Sequence, residues 1–191
     1  MLLQHTALSA SEVEKETILQ DYYTAFLSRQ LSIAGRKEVH NGRAHFGIFG
    51  DGMEIAQIAY AKHFQKGDWR SGYYRDQTFM LAAGLLTPEE FFAQIYGDSN
   101  LNNNPSTGGR NFNNHFATSN YSPEQTINLL GQKNSTSDIS PTAGQMPRLL
   151  GLAQASKMVR ENSELHPFTQ YISAGNEVAF GSIGDSSTSE G

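Results

Sequence analysis

A short apolar run near the carboxyl end, Glu177-Val178-Ala179-Phe180-Gly181-Ser182-Ile183, limits the possible folds more than any other segment. Seven residues are few for a buried helix, and a continuous apolar run of this length suits a strand buried on both faces. The other periodic segments read as helices, so a strand set among helices points to an α/β layer fold. The run leads into Gly184-Asp185-Ser186-Ser187-Thr188-Ser189-Glu190-Gly191, a strand-to-helix turn with no helix after it. The chain therefore reads as a piece of a longer protein.

With 191 residues and 38% hydrophobic residues, the sequence can bury one core. A single domain over 1–191 is expected, carrying a helical N-terminal arm at about 9–35. Fourteen Lys and Arg against nineteen Asp and Glu give a formal charge of −5, which leaves no basic field for a phosphate polymer or an anionic membrane. Neither nucleic acid nor membrane is an expected partner. The absence of cysteine excludes disulfides, thiolate metal sites and cysteine nucleophiles, and it is ordinary in a reducing compartment, so a cytoplasmic location is expected. The stretch Met1 to Leu8 has neither the cationic lead nor the apolar run of a signal peptide.

Along the chain, Ser9 with Glu12 and Ser11 with Glu14 fit capping boxes, and Ile18, Tyr22, Ala25, Phe26 and Ile33 recur at helical spacing. They predict a long amphipathic helix that stops near Gly35, followed by a loop to Gly50. Helix resumes at Gly52-Met53-Glu54, with Ile55, Ile58 and Ala59 inward and Lys62 at the rim. Thr87-Pro88-Glu89-Glu90 supplies a cap hydroxyl, a proline at the first helical position and a glutamate three residues after the cap, ahead of a stop at Gly97. Residues 98–122 hold eight asparagines among small polar residues, a composition that predicts a surface loop and no core. Ser140-Pro141 predicts another helix start, with Met146, Leu149, Leu150, Ala153 and Met158 on its apolar face.

Three segments are candidates for chemistry. A Gly184-Asp185 turn at the carboxyl end of a parallel strand directs backbone N–H groups and one carboxylate at an anion, which suits a diphosphate bridged by a divalent metal. The same tripeptide pattern at Gly50-Asp51-Gly52 is a weaker rival, because the preceding Phe46-Gly47-Ile48-Phe49 is glycine-broken. Tyr73-Tyr74-Arg75-Asp76 offers a guanidinium fork and a phenol for phosphate oxygens; an ordinary Arg75–Asp76 surface pair beside packed tyrosines is the plainer alternative. Ser140-Pro141-Thr142 offers hydroxyls, or simply an N-cap.

Taken in order, these pieces resemble the alpha half of the thiamine-diphosphate-dependent decarboxylating component of 2-oxo-acid dehydrogenase complexes, the pyruvate and branched-chain family. Gly52-Met53-Glu54-Ile55-Ala56-Gln57, Tyr73-Tyr74-Arg75-Asp76-Gln77, Gly108-Gly109-Arg110 with His115-Phe116, Ser140 to Pro147 and Gly184 to Gly191 each look like a segment of that family, over about Phe26 to Gly191. The resemblance implies a thiamine-diphosphate-binding fold, with a parallel sheet flanked by helices and incomplete at its C-terminal end. It implies that Tyr74 and Arg75 hold the cofactor diphosphate and that Ser140 and Thr142 line the cofactor wall. Asp185 would ligate Mg2+, with Gly184, Ser186 and Ser187 against the diphosphate, and His115 would face the active-site channel in a catalytic role. Ser186, Thr142 and Gly144 depart from the glycine, leucine and threonine usual there, and the family's second metal ligand, an asparagine, is expected beyond Gly191.

The implied activity is oxidative decarboxylation of a 2-oxo acid with acyl transfer to a lipoyl group. The implied partners are a beta-type half, separate or fused, and a lipoyl acyltransferase core, in an oligomer; alone, the chain is expected to be inactive. An acetoin-dehydrogenase-like or transketolase-like enzyme would use the same cofactor motifs. A noncatalytic α/β assembly module would need none of them, and a hydrolase built on Asp185 and histidines lacks paired zinc-ligand spacing.

Overall fold

The computed structural model describes residues 15–118, 128–167, 173 and 175–190. Within them the order is α1 (Lys15–His40), α2 (Glu54–Ala61), β1 (Trp69–Ser71), α3 (Gln77–Ala82), α4 (Pro88–Tyr96), β2 (Asn134–Ser135), α5 (Gln145–Glu161) and β3 (Ala179–Gly181). Short 3-10 turns stand at Leu129–Gly131, Ser163–Leu165 and Ser186–Thr188. The strands form one parallel sheet in the order β2-β1-β3, with Trp69 opposite both Asn134 and Ala179, and Arg70 opposite Ser135 and Phe180. The α/β expectation holds, as a small parallel sheet with helices. Because all three strands run the same way, the loops 72–76, 136–144 and 182–188 leave one common edge, where open α/β sheets bind ligands.

The core on one side of the sheet is aromatic. Phe64 lies 5.1 Å from Phe180 and 5.2 Å from Phe79, and Tyr60 lies 5.2 Å from Phe180, ring centre to ring centre. Phe91 and Phe116 are fully buried beside them. The helix at Thr87 forms as predicted: Thr87 Oγ1 accepts from Glu90 N–H, the Glu90 carboxylate accepts from Thr87 N–H, Pro88 takes the first turn, and Gly97 closes the helix in the left-handed region. No described helix is long and apolar enough to cross a membrane.

The expected buried face of α1 is reversed. Ile18, Tyr22, Phe26 and Ile33 are exposed, and Thr24, Ser28, Leu31, Ser32 and Gly35 face inward. Small hydroxyl residues let α3 approach closely and then satisfy one another: Ser28 Oγ and Thr78 Oγ1 are 2.7 Å apart, and Gln77 Nε2 donates to Ser28 O at 2.9 Å. Gly35 does not stop the helix, which runs to His40. A Cβ there would come within 2.5 Å of Phe49 and 2.8 Å of Ile95, so the glycine marks close packing. The predicted capping boxes at Ser9 and Ser11 lie outside the described residues.

Other expectations are corrected in the same way. On α2, Ile58 is buried together with Glu54, Gln57 and Ala61, whereas Ile55 and Ala59 are exposed. Helix α5 begins at Gln145, so Ser140 is not its cap, and Leu150, Ala153 and Met158 face outward. Strand β3 pairs over three residues, fewer than the seven of the apolar run. In the described part of the asparagine-rich stretch, Asn104, Asn113 and Asn114 are buried. Asn113 accepts from Ile48 N–H at 2.8 Å and donates to Ile48 O at 2.6 Å, so its amide pairs with that backbone as a neighbouring strand would.

Candidate functional site at the carboxyl edge of the sheet

The loop after β1 carries Tyr73 and Tyr74, whose rings are 4.3 Å apart, with the Arg75 guanidinium above both at 5.7 and 5.5 Å. Arg75 Nη1 donates to Tyr73 Oη at 2.6 Å. Burial and the neighbouring Tyr74 phenol push the Tyr73 hydroxyl up to about 12, so it keeps its proton at neutral pH.

The expected plain pair of Arg75 with Asp76 does not form. Asp76 is buried, and its Oδ2 accepts from Arg70 Nη2 at 2.8 Å and Arg70 Nε at 3.1 Å. Arg29, Arg36, Arg43 and Arg70 each face a carboxylate, whereas Arg75, Arg110, Arg148 and Arg160 face none among the described residues, and of these Arg75 is the exposed one on the loop after β1. The cation on this loop is therefore available to an anion from outside.

The second loop is fastened at Ser140 by His115, which comes from the asparagine-rich segment ahead of β2. Its ring stacks on Tyr74 at 6.4 Å with the planes 20° apart, and its Nε2 is 2.9 Å from Ser140 Oγ. Nδ1 is 3.2 Å from Asn113 O, and a carbonyl only accepts, so Nδ1 carries the proton. In the uncharged tautomer Nε2 then accepts the Ser140 hydroxyl. His115 is only 1% exposed, so both ring nitrogens serve the loop and neither faces an open channel. Ser140 is fixed by this bond, while Thr142 is exposed and joins no hydrogen bond of the cluster. Between them and α5, Ala143 holds a left-handed φ of 62°, a local strain in the loop that bears both residues.

On the third loop, Gly184 is pressed against the first. A Cβ at Gly184 would lie 2.7 Å from Tyr73 Oη and 3.2 Å from Ser187 Oγ. Ser187 is buried and its N–H donates to Gly184 O at 3.1 Å. Asp185 and Ser186 are exposed, and the Asp185 carboxylate caps none of the N–H groups of the turn that follows it. The rival Asp51 is engaged elsewhere, since Arg36 Nη2 reaches its two oxygens at 2.8 and 2.6 Å. Among the described residues no three or more His, Asp or Glu side chains converge as a metal cluster.

The structure thus gathers Tyr74, Arg75, His115, Ser140, Gly184 and Ser187 into one chain of contacts, with Asp185 and Ser186 at its rim. The set suits a diphosphate with a bridging cation: one guanidinium that meets a phenol and no carboxylate, small hydroxyls, and a single exposed carboxylate. A lone carboxylate is also compatible with Mg2+, which keeps several waters and takes its remaining oxygens from phosphate.

Sequence reasoning missed Arg70 and Asp138, and it gave Tyr73, inside its Tyr-Tyr-Arg-Asp segment, no role of its own. The signal for Arg70 was present in Arg70-Ser71-Gly72, because a Cβ at Gly72 would lie 1.7 Å from Arg70 Cζ. The sequence model of the dehydrogenase E1 component family matches residues 22–191. No match to a curated protein was found.

Proposed function

Because this chain belongs to the dehydrogenase E1 component family, whose members are thiamine-diphosphate-dependent 2-oxo-acid dehydrogenases, we propose that it serves oxidative decarboxylation of a 2-oxo acid with acyl transfer to a lipoyl group. In this reading the chain supplies the diphosphate and Mg2+ side of a site completed by a beta-type half, and works in an oligomer with a lipoyl acyltransferase core. The observation that carries the reading is Arg75, an exposed guanidinium with no carboxylate partner among the described residues, set at the carboxyl edge of a parallel sheet.

When bound, thiamine diphosphate supplies the nucleophilic carbon and the electron sink for decarboxylation. Arg75 would grip the diphosphate by charge-assisted hydrogen bonds, with the Tyr74 phenol beside it. Asp185 would ligate Mg2+, and Gly184, Ser186 and Ser187 would lie along the phosphates. Ser140 and Thr142 would form the wall opposite. His115, held under Tyr74 and bonded to Ser140, would orient that wall, with any direct part in substrate chemistry requiring Ser140 to release it. Alone, the chain lacks the other half of the site and is expected to be inactive.

The test is a product assay. The chain, mixed with its beta-type half, thiamine diphosphate and Mg2+, is offered pyruvate and branched-chain 2-oxo acids together with a lipoyl domain. Carbon dioxide release and acylation of the lipoyl domain are expected from the mixture and absent from the chain alone. Turnover of acetoin or a sugar phosphate with no 2-oxo acid consumed would contradict the reading.

A further inference from the structure

The three loops of the candidate site are joined beneath it by one buried charged group. Arg70, in the central strand, is 1% exposed. Its Nη1 donates to Ser135 Oγ at 2.8 Å and to Asp138 Oδ1 at 3.0 Å; its Nη2 donates to Asp138 Oδ2 at 3.0 Å, to Asp76 Oδ2 at 2.8 Å and to Tyr73 O at 3.2 Å; and its Nε donates to Asp76 Oδ2 at 3.1 Å. Asp76 extends the network, since Oδ2 also accepts from Tyr73 N–H at 3.0 Å and Oδ1 accepts from Ser182 Oγ at 2.6 Å. Asp138 Oδ2 accepts from Phe116 N–H at 3.1 Å, one residue from His115.

Every loop that leaves the carboxyl edge thus ends on the same guanidinium, directly or through one carboxylate. We propose that Arg70, with Asp76 and Asp138, is a positioning node that sets the Tyr73–Arg75 loop, the Ser140 loop and the Ser182–Ser187 loop at fixed distances for a diphosphate ligand.

Three physical features favour this assignment over a purely structural ion pair. First, one cation between two carboxylates is a poor choice for stability alone, because burying charge is expensive and an apolar replacement of like volume is often as stable. Second, the planar guanidinium fork fixes direction as well as distance, which an ammonium cannot do. Third, the node takes Asp76 away from Arg75, its sequence neighbour, and so leaves Arg75 without a carboxylate to neutralise it. Burial opposes a charged Arg70, yet the two carboxylates outweigh it and hold its pKa above the usual range. Burial likewise pushes the Asp138 carboxyl up, against the pull of Arg70.

The inference rests on the diphosphate reading of these loops, and two measurements separate the two. Hydrogen exchange of the full chain without ligand tests the node itself in Arg70→Lys, Asp138→Asn and Ser182→Ala. Arg70→Lys and Asp138→Asn are expected to loosen residues 72–76, 136–144 and 182–188 together, while Ser182→Ala loosens 182–188 alone with little change in thermal midpoint. Loosening confined to residues 72–76 in Arg70→Lys overturns the node.

Calorimetric titration of thiamine diphosphate with Mg2+ into the chain and its beta-type half then tests the ligand. Ser182→Ala is expected to weaken binding about threefold to tenfold, and Arg70→Lys by at least tenfold, in proteins whose thermal midpoints show them folded. Folded Arg70→Lys with unchanged affinity overturns the positioning role. Failure of the unmutated protein to bind, with the three loops still loosening together, leaves the node standing and removes the cofactor reading.

Discussion

At the residue scale, the availability of Arg75 depends on Arg70. Two arginines and one aspartate lie within Arg70 to Asp76, and the sequence alone favours pairing the neighbours Arg75 and Asp76. Folding gives Asp76 to Arg70 because the buried guanidinium has given up its water and needs a carboxylate to offset that cost, whereas the exposed Arg75 stays solvated. An exposed side chain with this freedom is a clean mutational target. Arg75→Gln is expected to leave the thermal midpoint within a few degrees and to weaken thiamine diphosphate binding roughly 10- to 150-fold, the range of a charged hydrogen bond worth about 1.5–3 kcal/mol. Unchanged affinity in calorimetry would place the diphosphate elsewhere. Gly72→Ala tests the other arginine. Its Cβ would overlap the Arg70 guanidinium at 1.7 Å, so the substitution must displace a buried ion and is expected to cost about 3 kcal/mol or more in urea unfolding. A loss below about 1 kcal/mol would show that Arg70 has room to move.

At the element scale, the helix at Thr87 was fully legible because its signals are local: cap, proline, glutamate and terminal glycine all lie within eleven residues. Thr87→Ala is expected to lower stability by about 0.5–2 kcal/mol through loss of the cap. The face of α1 was not legible, because period alone marks both a row of large apolar residues and a row of small hydroxyl ones, and the partner chooses between them. Phe26→Ala, on the exposed row, is expected to change stability by less than about 1 kcal/mol, against about 3–5 kcal/mol for Phe91→Ala in the core. The far end of α1 carries a pH-dependent fastening. Glu38 is bonded by Arg43 and by Tyr96 Oη, the latter at 2.8 Å from α4, and the Arg43 bond chiefly brings its carboxyl down from 4.5 to about 2. The folded value lies below the unfolded one, so this fastening contributes above pH 4.5 and is lost as pH falls through about 2. Carbon-detected NMR should place the Glu38 midpoint near 2 and return it towards 4.5 in Arg43→Ala; a midpoint near 4.5 without that substitution would refute the pairing.

At the scale of the whole molecule, the α/β class followed from one apolar run among helices, and the order of short motifs pointed to the family. The sequence held the Tyr-Arg, Ser-Pro and Gly-Asp segments as separate signals more than thirty residues apart. What joined them was illegible because it depends on long-range partners: Arg70 reaching Asp138, His115 reaching Ser140, and Gly184 closing on Tyr73. The asparagine-rich stretch misled for a related reason. Its amides supply hydrogen bonds to the Ile48 backbone and so allow a polar segment to be buried without an apolar core of its own. The central claim is that these separated loops make one diphosphate site. The measurement that tests it most directly is calorimetric titration of thiamine diphosphate with Mg2+ into the chain assembled with its beta-type half, alongside Asp185→Ala. Saturable binding that requires Mg2+ and is abolished by Asp185→Ala is the predicted result; no binding by the unmutated assembly, or binding indifferent to Asp185, would contradict it.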